Sequence, residues 1–143
     1  MSIHEQLIKI QQGLHVPKDQ KAHQFVYRNA ESILAAVKPL LGDCTITLTD
    51  NIVGVCERVY CRSEATLSDG EKTISVQAFA REQLNKRGMD DAQVTGASMS
   101  YARKYALQGL FAIDSSDTKD SDETDQPTLL EQINSCMNRD VLI

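Results

Sequence analysis

The sequence lacks the residue patterns on which most catalytic and metal sites depend. It has no Gly-rich phosphate loop ending in Gly-Lys-Ser or Gly-Lys-Thr, no Gly-x-Ser-x-Gly and no His-Glu-x-x-His. Its four cysteines form no Cys-x-x-Cys pair and lie near no histidine at metal-ligand spacing, which argues against zinc. We therefore expect no catalytic residue, no metal and no cofactor, and we interpret the cysteines as reduced thiols.

Hydrophobic runs long enough to span a membrane are also missing. Apolar residues make up 41% of the 143 residues, and a membrane-spanning helix needs ~20 of them in succession. Near the N-terminus, Lys9, Gln11 and Gln12 interrupt any apolar leader. These features predict a cytoplasmic protein that has no membrane partner.

The net charge of −5 is distributed unevenly along the chain. Residues 1–113 contain 13 lysines and arginines against 12 aspartates and glutamates, whereas residues 114–143 contain 2 against 8. We expect residues 1–113 to form the folded core, residues 114–127 an acidic disordered linker, and residues 128–143 a short C-terminal amphipathic segment. Because the acidity belongs to the tail, the core remains compatible with a nucleic-acid partner.

The hydrophobic periodicity predicts an α+β fold. Apolar residues recur at helical spacing in residues 3–14, 27–41 and 97–113, and Asn29 is placed to cap the second of these helices. Apolar and polar residues alternate with a period of two, as in β-strands, in residues 45–49, 52–67 and 72–80. We predict a three-stranded antiparallel β meander packed against helices. For residues 81–95 the pattern does not choose between a strand exit, a loop and a frayed helix.

The polar face of the predicted meander is a candidate binding surface. A two-residue turn at Asp69 and Gly70 would pair Leu67 with Lys72 and so fix the register of the last two strands. That register aligns Tyr60 with Phe79 and brings arginines beside them. Cations neutralise phosphates and exposed rings stack on bases, so this face suits single-stranded nucleic acid. A second interpretation stays open, in which the two rings form a cross-strand pair covered by a helix, with the arginines at its rim.

The third predicted helix combines small, aromatic and basic residues. Tyr101 and Tyr105 fall along one strip, and Arg103 and Lys104 point to another side. On pattern alone, an amphipathic core helix with two solvated cations is the simpler interpretation. Contact of the same side chains with phosphates or with a neighbouring subunit is the alternative.

Residues 96–113, Gly-Ala-Ser-Met-Ser-Tyr-Ala-Arg-Lys-Tyr-Ala-Leu-Gln-Gly-Leu-Phe-Ala-Ile, resemble the hallmark of the ERF (essential recombination function) superfamily, which also continues into acidic residues. Residues 25–41, which end in Ile-Leu-Ala-Ala-Val-Lys-Pro-Leu-Leu, are similar to an early helix of that family. The resemblance covers about residues 20–120. It implies an ATP-independent phage recombination protein that binds single-stranded DNA, anneals complementary strands and assembles into homo-oligomeric rings or filaments, with host single-strand-binding or recombination proteins as further partners.

The resemblance assigns the aromatic and basic positions of the motif to Tyr101, Arg103, Lys104 and Tyr105. Together with the polar sheet face and the basic segment that follows it, the predicted DNA-binding residues are Arg58, Tyr60, Arg62, Phe79, Arg81, Lys86, Arg87, Tyr101, Arg103, Lys104 and Tyr105. The rival hypothesis is a protein-interaction module that engages a host replication or repair factor and has incidental affinity for DNA.

Overall fold

A computed structural model describes residues 1–18, 20–22, 25–84, 88 and 90–113 of the chain. The elements in chain order are α1 (Ile3–Gly13), β1 (Gln20–Ala22), β2 (Phe25–Tyr27), α2 (Ala30–Val37), a 3-10 turn (Lys38–Leu40), β3 (Thr45–Val55), β4 (Arg58–Ser68), β5 (Thr73–Arg81) and α3 (Asp91–Phe111). The predicted α+β architecture with a three-stranded antiparallel sheet is confirmed, and a short β1–β2 pair was not predicted. The predicted linker and C-terminal segment, residues 114–143, lie outside the described residues.

Local capping fixes where the first two helices begin. Ser2 and Glu5 form a reciprocal capping box at the start of α1. The Asn29 side chain accepts a hydrogen bond from the Ser32 amide at 2.8 Å, which confirms Asn29 as the cap of α2. The apolar pattern begins at residue 27, but residues 25–27 pair as a strand and α2 begins at Ala30, directly after its cap. Pro39 lies in the 3-10 turn that ends this helical segment.

The first two strands of the meander form one long hairpin. β3 and β4 pair along their full length, from Thr45 opposite Ser68 to Val55 opposite Arg58. The connection is a two-residue turn in which Cys56 and Glu57 have φ of 46° and 68°. The predicted break at residues 50–51 is wrong because β3 runs through Asp50, whose carboxylate has partners inside the fold.

The register between β4 and β5 differs from the prediction by two residues. Ser68 pairs with Thr73, so the turn spans residues 69–72 instead of two residues. The Asp69 carboxylate stabilises this wider turn by accepting hydrogen bonds from the amides of Glu71 and Lys72 at 2.8 and 2.7 Å. A shift of two residues leaves every side chain on its predicted face, although the cross-strand partners change.

The core lies between the sheet and the helices. α3 packs against β4 and β5 and approaches closely at Gly109, where an added Cβ would come within 3.0 Å of Val76 Cγ1. α1 and α2 cover the other side of α3 and bury Ile10, Ile33 and Phe111. Among the helices that the structure describes, none is long and apolar enough to cross a membrane.

The described cysteines are in two states. Cys44 and Cys61 are free thiols, whereas Cys56 at the hairpin turn is disulfide-bonded. The interpretation of all cysteines as reduced thiols is therefore wrong for Cys56.

Candidate nucleic-acid interface

The sheet presents two chemically different faces. On β4, side chains alternate between an inner face that packs on α3 and an outer face that points away from it. The inner positions Cys61, Ser63, Ala65 and Leu67 are all fully buried. We call the opposite side, which carries the intervening residues and their neighbours on β3 and β5, the outer face.

The outer face brings five of the predicted DNA-binding residues together: Arg58, Tyr60, Arg62, Phe79 and Arg81. Arg62 stands opposite Phe79, and Tyr60 stands opposite Arg81. The predicted pairing of Tyr60 with Phe79 is thus replaced by two cross-strand pairs of a cation and a ring. This corrected register places positive charge beside an aromatic surface in two successive rows.

Access to these five side chains is unequal. Arg62, Phe79 and Arg81 are half-buried, whereas Tyr60 is only 3% exposed and presents no free ring face. Arg58 is also half-buried, and its Nη2 donates to the carbonyl oxygen of Glu82 at 3.0 Å. Arg62, Arg81 and Phe79 therefore provide most of the accessible charge and aromatic surface on this face.

The motif residues of α3 lie on the other side of the sheet. Arg103 is tied to Asp50, because its Nε donates to both carboxylate oxygens at 3.1 and 3.3 Å and its Nη2 donates to Oδ2 at 2.5 Å. Ser63 Oγ donates to the same carboxylate. The hydrogen bonds from Arg103 hold the pKa of the Asp50 carboxyl below its usual value, against the opposing effect of partial burial. The pair links α3 to β3 and β4.

Lys104 is buried rather than solvated. It is 2% exposed, and its Nζ lies 5.3 Å from the ring centroid of Tyr101 and 5.0 Å from that of Tyr105. Both distances suit attraction between the ammonium and the ring faces. Tyr101 keeps 37% of its surface exposed, so it is the accessible part of this cluster. The expectation of two solvated cations on α3 is wrong for Lys104.

A second set of polar contacts joins the start of α3 to the end of β5. The Thr95 hydroxyl donates to the Glu82 carboxylate at 3.0 Å, and the Cys61 thiol lies 3.7 Å from the Thr95 carbonyl oxygen. Burial, together with the nearby Glu82 carboxylate, raises the pKa of the Cys61 thiol to about 11. A thiol with this pKa stays protonated and unreactive at neutral pH. Cys61 is therefore a packing residue.

Two predicted site residues, Lys86 and Arg87, lie outside the described residues. In the described part of the chain, no group of three or more histidine, cysteine, aspartate or glutamate side chains could hold a metal ion. The predicted binding residues that the structure does describe thus divide into an outer-face group and an α3 group on opposite sides of the sheet.

Some residues that organise this region were missed by sequence reasoning. Asp90 and Gln93 form a capping box, so α3 begins at Asp91 and not at residue 97. The spacing Asp-x-x-Gln is a signal for this start, although the polar pattern of residues 81–95 alone does not choose between strand exit, loop and frayed helix. The partnership of Asp50 with Arg103 left no local signal, since the two residues are 53 positions apart.

Comparison with known proteins places the chain in one family. The model of the ERF superfamily matches residues 3–138. The essential recombination function protein of Salmonella phage P22 is 50% identical over 118 residues, which cover 81% of this chain and 57% of that protein. The chain thus spans little more than half the length of this relative. No solved structure matches the chain. The match over nearly all residues and the identity to the phage protein show that the chain belongs to the ERF superfamily.

Proposed function

We propose that this chain acts in phage recombination by binding single-stranded DNA and annealing complementary strands without ATP. The single observation that carries the proposal is the outer face, where two arginines and a ring remain accessible beside each other. Membership of the ERF superfamily and the name of the phage P22 relative support recombination as the process.

The outer face suits a single strand better than a duplex. Arg62 and Arg81 supply positive charge for phosphates, and Phe79 supplies a ring on which any base can stack. Stacking contributes ~1–3 kcal/mol per base without regard to its identity, so this surface binds without sequence preference. In a duplex the base faces are already covered by their neighbours, so the ring adds little there.

In this proposal the α3 motif residues support the fold more than they contact DNA. Arg103 is engaged by Asp50, and Lys104 lies buried between two rings. Neither cation could reach a phosphate without giving up these interactions. Tyr101 is the α3 residue that could offer a ring to a base or to a neighbouring subunit. Lys86 and Arg87 follow β5 in sequence, and we assign them to contacts with the phosphate backbone of the same DNA strand.

Annealing by this route needs no covalent chemistry, so we assign no catalytic residue. The protein neutralises phosphates and holds strands extended, and the duplex that forms supplies the driving force. Subunits assembled as a ring or filament would align several outer faces and lengthen the bound strand. Because no bond is made or broken, no nucleotide cofactor is required.

The salt dependence of DNA binding tests the proposal. For a single strand, the slope of log K against log salt changes by about 0.7 for each phosphate contact. We expect Arg62→Gln and Arg81→Gln each to make the slope shallower by about that amount and to slow duplex formation between complementary labelled strands without nucleotide. The matched control is Lys9→Gln, which removes an exposed cation on α1. It should leave the salt slope and the rate of duplex formation unchanged. Slopes that stay at the wild-type value in both arginine variants would contradict the proposed interface.

A protein-interaction function is the second candidate, and an exposed apolar patch favours it. Ile52 is 53% exposed and Val59 is 38% exposed, and both lie on the inner side of the β3–β4 hairpin beyond the cover of α3. Such residues are typical of a contact with another protein chain. If the purified protein does not accelerate annealing at any salt concentration, while Ile52→Ser abolishes capture of a host replication or repair factor, the interaction module is the better description.

A further inference from the structure

The outer face continues beyond its arginines into a region made mostly of hydroxyl side chains. Three successive rows across β3, β4 and β5 follow the two rows of cations and rings. We call them the hydroxyl rows, and their members are Thr45, Ser68 and Thr73; Thr47, Thr66 and Ser75; and Thr49, Glu64 and Gln77. The residues on β3 and β5 are exposed and those on central β4 are half-buried, so this region is open to a ligand.

The hydroxyl rows carry little charge that would repel a phosphate. Glu64 is their one ionisable residue, and its carboxylate accepts a hydrogen bond from Gln77 Nε2 at 2.8 Å. The Thr66 and Ser75 hydroxyls lie 2.8 Å apart and share one hydrogen bond, which leaves donor and acceptor capacity on this row. Carboxylates reappear at Asp69 and Glu71, in the turn beyond the last row. These carboxylates mark where the region suited to an anion ends.

The spacing of the rows fits an extended nucleic-acid strand. Residues that share a face of a strand repeat every ~6.7 Å, about twice the ~3.4 Å of helix axis that each phosphate of one strand occupies in a duplex. A single strand drawn out from its stacked form to about double length would therefore place one phosphate near each row. The five rows together extend over ~27 Å of the sheet.

We propose that the hydroxyl rows bind the sugar–phosphate backbone of the same single strand whose other end rests on Arg62, Arg81 and Phe79. This inference rests on the proposed function and adds a second half to the DNA site, in which Glu64 is the one charged residue. Neutral hydroxyls hold the backbone by hydrogen bonds, and because these rows carry no ring the bases above them stay unstacked and available. Arg62, Arg81 and Phe79 retain the DNA strand, and the hydroxyl rows present its bases to a complementary strand.

Removal of the hydroxyls in the middle row tests this assignment. The variant combines Thr47→Val, Thr66→Val and Ser75→Ala, which keep the strands and remove three hydroxyl groups. With oligothymidine of increasing length, we expect a loss of affinity on the order of tenfold for oligonucleotides that reach the hydroxyl rows. The salt slope should not change, since no charge is lost, and short oligonucleotides held by the arginine rows alone should bind as to wild type. Ser100→Ala, an exposed hydroxyl on α3, is the matched control.

An added cation gives an independent reading at the same place. Thr47→Lys should tighten binding of long oligonucleotides and steepen the salt slope by about 0.7 if a phosphate lies at this row, whereas Ser100→Lys on the opposite side should not. Wild-type behaviour of the triple variant with long oligonucleotides, or an equal loss with short and long ones, would overturn the inference. If the arginine variants weaken binding and the hydroxyl variants do not, the inference fails and the proposed function stands. If wild type binds no oligonucleotide, both fail.

Discussion

Asp50 shows how much of this fold depends on one charged residue within a strand. Its carboxylate accepts hydrogen bonds from Arg103 on α3 and from Ser63 on β4. A carboxylate whose pKa is lowered in the folded state stabilises the protein above its unfolded pKa, and the effect disappears as the pH falls through the folded pKa. The contribution of Asp50 is thus complete at neutral pH and is lost only in acid.

Replacement of this carboxylate tests its contribution. We expect Asp50→Asn to lower the free energy of unfolding by ~1–2 kcal/mol at pH 7, a value reduced by the partial exposure of Arg103. In urea titrations the difference in free energy of unfolding between Asp50→Asn and wild type should narrow as the pH falls below the ordinary aspartate pKa of 3.8. Asp43→Asn, at an exposed carboxylate, serves as the control. A gap that is the same at pH 3 and pH 7 would refute the ionic role of Asp50.

Single residues also mark the limit of sequence-based prediction. The period of two assigns Tyr60 to the polar face of the sheet, and the helical pattern assigns Lys104 to a different side of α3 from its tyrosines. Neither pattern predicts that both side chains are buried, because burial depends on which distant segments cover them. The assignment of residues to faces was therefore predictable, and their accessibility was not.

At the scale of elements, the β3–β4 hairpin has an unusually demanding turn. Cys56 and Glu57 both adopt positive φ, a conformation that costs an L-residue roughly 1–2 kcal/mol. Glycine and asparagine are the residues that normally occupy such a turn, so Cys56 and Glu57 carry no turn signal. For that reason residues 52–67 looked like one strand, and the polar pair at residues 50–51 looked like the break.

Relief of the strain at this turn should stabilise the hairpin. We expect Glu57→Gly to raise the free energy of unfolding by about 0.5–1 kcal/mol, since the lost strain exceeds the added flexibility of the unfolded chain. Gly70→Ala in the other turn, where φ is +97°, should act in the opposite direction. Thermal denaturation of the two variants measures both effects. If Glu57→Gly lowers the melting temperature, the turn is held by a contact of the Glu57 side chain and not by tolerance of strain.

At the scale of the whole molecule, charge separates the chain into two regions. The net charge of residues 1–113 is +1 and that of residues 114–143 is −6. An acidic segment on the same chain lowers the local concentration of DNA by repulsion, an effect that salt screens over ~10 Å at 0.1 M and ~3 Å at 1 M. The overall acidity of the chain therefore opposes DNA binding most strongly at low salt.

Neutralisation of this acidity in the intact chain is a direct test. Conversion of the six carboxylates in residues 114–125 to amides changes the net charge from −5 to +1. We expect the variant to bind single-stranded DNA more tightly than wild type at 50 mM salt and about equally at 500 mM. The matched control replaces six serines, threonines and glutamines elsewhere in residues 114–143 by alanine. Tighter binding that persists unchanged at high salt would point to direct competition for the DNA site instead of long-range repulsion.

The alternation of β4 between its two faces limits how the length of this sheet can change. Between Cys61 and Leu67, each residue that packs on α3 is followed by one that faces outward. Deletion of Ser63 alone would invert the faces of the residues that follow it, so Glu64 would turn into the core and Ala65 would be exposed. The fold and the proposed binding surface would then be lost together. Deletion of two residues would shorten the outer face by one row and keep every remaining side chain on its own face. Members of this family that differ in the length of the sheet should therefore differ by even numbers of residues.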